Sequence, residues 1–147
     1  ESLLVKLRES EKELDKVRTE QALRRGAELA AASERVGEFS LVASCVGEMP
    51  SADALRTLAL DVRERMGNER GVVVALAGVV GGKPSLVIAT NEAAREARVK
   101  AGALVRAVGK HMGGGGGGRD DIAQGGGTKP EGIPAALDAI RSQIEAL

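Results

Sequence analysis

Six consecutive glycines, Gly113 to Gly118, precede Arg119-Asp120-Asp121-Ile122-Ala123-Gln124 and three further glycines, Gly125 to Gly127. Glycine removes the Cβ that holds a ligand away from the backbone, and successive N–H groups can cradle phosphate oxygens. The neighbouring charges suit such a partner. From Arg95 to Arg119 the cations are Arg95, Arg98, Lys100, Arg106, Lys110 and Arg119, against the single acid Glu96. The candidate phosphate ligands are Arg119 and the amides of Gly115, Gly116, Gly117 and Gly118. Arg95, Arg98, Arg106 and Lys110 would add longer-range attraction, since positions 95, 98, 102, 106 and 110 fall near one side of an ideal helix. Contacts to phosphate give affinity and register without reading sequence. Gln124 has two open roles, bonding a base edge or ribose or holding the glycine loop, with the second favoured. The residues alone leave the cations two readings, a phosphate-binding surface or a solvated basic face.

Other chemistries fail on residue grounds. Gly113, Gly115 and Gly118 satisfy G-x-G-x-x-G, but any glycine run does, and this one follows an expected helix rather than a strand. Gly82-Lys83-Pro84 lacks the hydroxyl residue that ends a phosphate-binding loop of the Walker type. His111 is the only histidine and Cys45 the only thiol, so neither a zinc site nor a Cys–His pair has partners. Asp120 and Asp121 are read as solvated carboxylates. No nucleophile, base and orienting group come together, so no catalytic residue, metal or cofactor is expected. Aromatic residues are 1% of the chain, which argues against base-stacking platforms.

The elements that must position the glycine segment follow from patterning. The 147 residues carry 21 basic and 21 acidic side chains, and 43% are hydrophobic, enough for one core of small aliphatic side chains. A lone cysteine, no apolar leader and no membrane-length apolar run give a cytoplasmic expectation. The chain starts at Glu1 and is expected to be part of a longer protein. Residues 1 to about 36 contain no proline and place Leu3, Leu7, Leu14 and Val17 at heptad spacing, so one long helical arm is expected over 1–37. The arm would pair with another helix of its own protein or of a second copy, or serve as a solvated spacer. A compact α/β domain then fills 38–147, with a small mixed sheet flanked by helices. Strands are expected at Phe39–Val46, Gly71–Val80 and Ser85–Thr90, the last two as a hairpin. A helix capped by Ser51 buries Leu55, Leu58, Val62 and Met66. Residues 92–112 read as one helix, and a closing helix with Pro134 at its first position would turn Leu137, Ile140, Ile144 and Leu147 inward.

The stretch from Gly113 to Gly127 resembles the glycine-rich signature at the end of the C-terminal domain of alanyl-tRNA synthetases. Its fixed positions are occupied by Gly113, Gly114, Gly116, Gly117, Gly118, Arg119, Asp121, Ala123, Gln124, Gly126 and Gly127. Asp120 stands where proline is frequent and Ile122 where methionine is frequent. The resemblance implies a DHH-associated domain, a fold shared with accessory modules of RecJ-like phosphoesterases. It further implies a non-catalytic piece that grips the elbow of alanine-specific tRNA and is tethered by a helical arm to the synthetase's other domains. Dimerisation of the parent through arm and body is a second implied role. An accessory nucleic-acid-binding domain of a RecJ-like hydrolase is a third.

Overall fold

Gly71–Val80 is the central strand, and every residue from Gly71 to Gly78 is buried. Val73, Ala75 and Ala77 pack into one core cluster, whereas Val72, Val74 and Leu76 pack into the other. That two-residue alternation is what a strand covered on both faces requires. The computed structural model describes residues 24–49, 51–67 and 69–146. In chain order these form α1 (24–31), β1 (Glu34–Val36), β2 (Phe39–Glu48), α2 (Ala52–Met66), β3 (Gly71–Val80) and β4 (Lys83–Thr90). There follow α3 (Glu92–Glu96), α4 (Ala101–Val108), a 3-10 turn (Gly109–Met112), β5 (Gly116–Gly118), β6 (Ile122–Gly126), a 3-10 turn (Pro130–Gly132) and α5 (Ile133–Glu145).

The six strands lie in the order β1-β2-β3-β4-β6-β5. β2 and β3 are parallel, with α2 as their crossover, and every other pair is antiparallel. The sheet is therefore mixed, as expected. The β3–β4 hairpin turns through Gly81 and Gly82, whose φ values of 58° and 79° suit the primed two-residue turn that matches strand twist. α2 covers one face through Leu55, Leu58, Ala59 and Val62, and α4 and α5 cover the other. The Ser51 hydroxyl caps α2 by accepting from the Ala54 N–H at 3.1 Å.

Three expectations need correction. The helix expected to reach Val36 ends at residue 31, and 34–36 instead form β1 against Phe39–Leu41. Gly37, with φ of 61°, reverses the chain, and Val36 enters the core that its apolar side chain had assigned to the arm. The heptad residues Leu3, Leu7, Leu14 and Val17 lie outside the described residues. α1 itself packs tightly on α2, because a Cβ at Gly26 would fall on the Asp61 carboxylate. Leu29 and Ala30 reach the α2-side core, and an Arg25 Nη2 donates to the Val46 carbonyl.

Residues 92–112 are not one helix. α3 stops after Glu96 in a Schellman arrangement: Val99 N–H donates to Ala94 O at 3.0 Å and Arg98 N–H to Arg95 O at 2.9 Å. Arg98 occupies the left-handed position usually given to glycine, with φ of 68°. Val99, 3% exposed, packs with Ala94 as that motif prefers. The face shared by positions 95, 98, 102, 106 and 110 therefore does not exist.

Finally, α5 is turned relative to its expected stripe. Ile133, Ala136, Ile140 and Ile144 are buried, Leu137 is half-buried, and Pro134 is the second helical residue. Leu147 lies outside the described residues. Arg141 of α5 donates from Nη2 to the Glu34 carboxylate of β1 at 3.1 Å. That bridge ties the two ends of the sheet domain together.

Candidate nucleic-acid interface

The glycine segment is a β-hairpin at the edge of the sheet. Gly116, Gly117 and Gly118 face Gly125, Gln124 and Ala123, and the Arg119 N–H closes the turn on the Ile122 carbonyl at 3.0 Å. No side-chain pattern announces these strands; close packing demands them. A Cβ at Gly116 would overlap the Gln124 carbonyl and Gly125 Cα and come within 2.8 Å of Val105 of α4. A Cβ at Gly114 would fall on the Gly126 carbonyl. Gly115 and Gly117 are different: nothing lies within 4 Å of a Cβ at Gly115, and the Arg106 Nε lies 3.9 Å from one at Gly117. Packing explains the even-numbered glycines and leaves the surface at 115 and 117 open.

The amides divide in the same way. Gly126 N–H donates to Gly115 O and Arg119 N–H to Ile122 O, so alternation places Gly117 in the ladder with Gln124. Of the four amides proposed as phosphate ligands, those of Gly116 and Gly118 point off the strand pair. The outward groups of Gly118 lie against Gly102 of α4, whose Cβ position would be 2.9 Å from the Gly118 carbonyl.

The tip of the hairpin is held by its carbonyls. Arg119 O accepts from Gly102 N–H at 3.1 Å, and Asp120 O from Ala101 N–H at 3.0 Å and Thr90 Oγ1 at 2.6 Å. Asp121 O accepts from Thr90 N–H at 2.9 Å and from the Arg63 guanidinium at 3.2 Å. The first amides of α4 are thus spent on the tip and offer no anion site of their own. Sequence patterning does not mark Thr90, Arg63 or Gly102 as part of the site. Only the end of a β-rich run at Thr90 signalled a special position. Replacing Thr90 with Val keeps the shape but removes one donor from a fully buried site. The expected loss is about 1 kcal/mol, together with faster amide exchange near Arg119, measurable by urea unfolding and hydrogen exchange.

The cations distribute unevenly around this tip. Arg119 is exposed at the turn itself. Arg106 lies beside Gly102 and Gly117, with its Nε donating to the Gly102 carbonyl at 3.2 Å. Arg98 and Lys100 precede Ala101, whose amide holds Asp120. Lys110 stands at the opposite end of β5, in the turn whose carbonyl accepts from Gly113. Arg95 belongs to α3 and donates from Nε to the Asn91 carbonyl at 3.3 Å. The Gln124 side chain makes no hydrogen bond among the described residues; its backbone pairs with Gly117. No group of three His, Cys, Asp or Glu among the described residues is arranged to hold a metal ion.

A family model described as the DHHA1 domain matches residues 38–146, and the chain belongs to that family. Within it the chain is a C-terminal domain of the alanyl-tRNA synthetase type. The crystal structure of the C-Ala domain from Aquifex aeolicus alanyl-tRNA synthetase superposes with a TM-score of 0.69 at 35% identity, covering 77% of this chain and 97% of that one. The alanine–tRNA ligase of Streptomyces avermitilis is 50% identical over 143 residues, which are 97% of this chain and 16% of the relative. That of Renibacterium salmoninarum is 51% identical over 144 residues, again 16% of the relative's length. A DHH-domain protein described as a member of the s1p family of ribosomal proteins shares the fold alone, at TM-score 0.60 and 12% identity, over 87% of this chain and 31% of that one.

Proposed function

We propose that the chain is a non-catalytic tRNA-binding domain of an alanyl-tRNA synthetase. It contacts the elbow of alanine-specific tRNA by backbone and shape, and so supports the aminoacylation and editing carried by other domains of the same enzyme. The observation that carries this reading is the match to the C-Ala domain over 97% of its length, combined with an exposed Arg119 at a rigidly held tip. Arg106 and Arg119 make direct phosphate contacts, because both flank the open glycine surface. Arg95, Arg98 and Lys110 act at longer range. Gln124, with its amide uncommitted, meets ribose or a base edge. No cofactor or metal takes part, and the working compartment is the cytoplasm. Among the described residues no helix is long and apolar enough to cross a membrane.

The test is tRNA binding at two or more salt concentrations. Arg119→Ala and Arg106→Ala should each weaken binding and each reduce the slope of log affinity against log salt by about one unit. Unchanged affinity and slope in both variants would remove this surface from tRNA recognition.

A further inference from the structure

The end of the sheet that carries the hairpin tip also carries a second charged feature, outside the glycine signature. A cleft there is lined by Arg35 of β1, Glu38 of the β1–β2 turn, and Glu69, Arg70 and Gly71 at the start of β3. Strand pairing fixes the backbone on both sides of the cleft. Val36 pairs with Phe39 around the turn, and Gly71 pairs with Phe39 on the other side. The Arg70 carbonyl accepts from Asn91 Nδ2 at 2.7 Å. A Cβ at Gly71 would come within 2.6 Å of the Phe39 ring, so only glycine fits beside it.

Among the described residues, none of Arg35, Glu38, Glu69 and Arg70 is engaged in an ion pair. Two guanidinium groups and two carboxylates thus share a cleft without pairing in direct contact. A phosphate alone would be repelled by the acids, and a cation by the arginines. A ligand that presents an anion and hydroxyl donors side by side satisfies both. Ribose phosphate does so: guanidinium forks suit phosphate oxygens, and a carboxylate accepts from the ribose hydroxyl, as in dinucleotide-binding folds. The 2′-hydroxyl is also the group that separates RNA from DNA.

The cleft lies at the same end of the sheet as the proposed interface. Val73 near the start of β3 faces Thr90 at the end of β4, and Ala89 faces Ile122 at the start of β6. With strands about 4.8 Å apart, the cleft and the hairpin tip sit two to four strands, roughly 10–20 Å, from each other along one sheet end. One RNA strand can reach both. We propose that the cleft takes a ribose-phosphate segment of the bound RNA, with Arg35 and Arg70 on the phosphate and Glu38 and Glu69 each accepting from the 2′-hydroxyl of one of two neighbouring riboses. The proposal rests on the tRNA-binding reading above and adds discrimination between RNA and DNA to it.

The sign of one variant decides it. Removing two carboxylates makes the surface more positive, and simple electrostatics then predicts tighter binding to any polyanion. The proposal predicts the opposite for RNA. Using the 147-residue chain, binding of a tRNA transcript and of a DNA strand of the same sequence is measured for wild type, Arg119→Ala, Arg70→Ala and Glu38→Ala/Glu69→Ala. The double variant should bind tRNA about tenfold more weakly while DNA binding stays level or tightens. Arg70→Ala should lower the salt slope for tRNA by about one unit. Equal tightening on tRNA and DNA, or no change on either, overturns the proposal while leaving the Arg119 result to judge tRNA binding itself. An AMP titration followed by amide shifts supplies the last arm. Cleft shifts lost in Arg70→Ala without any change in tRNA affinity would assign the site to a free nucleotide and overturn the RNA assignment. Thermal unfolding of each variant confirms that the fold is intact.

Discussion

Asn91→Asp should lower the unfolding free energy by about 3 kcal/mol or more, although the substitution changes shape hardly at all. Asn91 is 4% exposed, and its side chain makes four hydrogen bonds. Its Oδ1 accepts from Val72 N–H at 2.8 Å and from Ala94 N–H at 2.9 Å. Its Nδ2 donates to Gly67 O at 3.0 Å and Arg70 O at 2.7 Å. One side chain thus joins the end of α2, the start of β3 and the N-cap of α3. Aspartate replaces the donating group with an oxygen, leaving two carbonyls unpaired against a buried charge. Each orphaned buried group costs about 1–3 kcal/mol, and a charged one more. Asn91→Ala loses the cap as well, itself worth about 1 kcal/mol. Urea unfolding should show lower midpoints with unchanged slopes for both variants. An Asn91→Asp midpoint equal to wild type would refute this account of the junction.

The second large effect divides the glycine run. Gly116→Ala forces a methyl against the Gln124 carbonyl and Gly125 Cα, and these belong to the partner strand that β5 needs. Backbone cannot yield as a flexible side chain can, so a loss of about 2–3 kcal/mol is expected. Gly115→Ala meets empty space at a backbone position that is not left-handed. Its stability should change by under about 0.5 kcal/mol or rise slightly, since alanine restricts the unfolded chain. Gly117→Ala should behave similarly beside Arg106. The two outer variants then report recognition separately from folding: both should keep wild-type stability yet weaken tRNA binding. If Gly115→Ala and Gly117→Ala bind tRNA like wild type, the open glycine surface has no part in contacting RNA.

The elements most legible in the sequence were those whose side chains do the packing. β3 showed itself as an unbroken apolar run, α2 as a capped stripe, and the β3–β4 turn as paired glycines. β5 and β6 carried no such signal, because a strand of glycines has no alternation to read. Their form is imposed from outside, by Val105 of α4 and by the partner backbone. The end of α3 was hidden for the opposite reason: Arg98 fills a position that glycine would have marked. β1 is three residues long, too short for a period to register. At the candidate site, the exposed cations and glycines were legible as types. The clamp beneath them was not, since Thr90 and Arg63 act through carbonyls that no residue letter encodes. Physically the miss is the same each time: backbone hydrogen bonding decided the structure where side-chain patterning was silent.

The bridge between Arg141 and Glu34 has a meaning for synthesis as well as for shape. Ile133, Ile140 and Ile144 cover Val36, Phe39 and Leu41 from the far end of the chain. On a ribosome, β1 and β2 emerge with one apolar face bare, and it stays so until α5 is made several seconds later. Until then the nascent sheet has a closed side under α2 and, over β1 and β2, an open side that α3 and α4 leave to α5. During that interval the exposed aliphatic surface of β1 and β2 is the kind that chaperones bind, and α5 is what removes it.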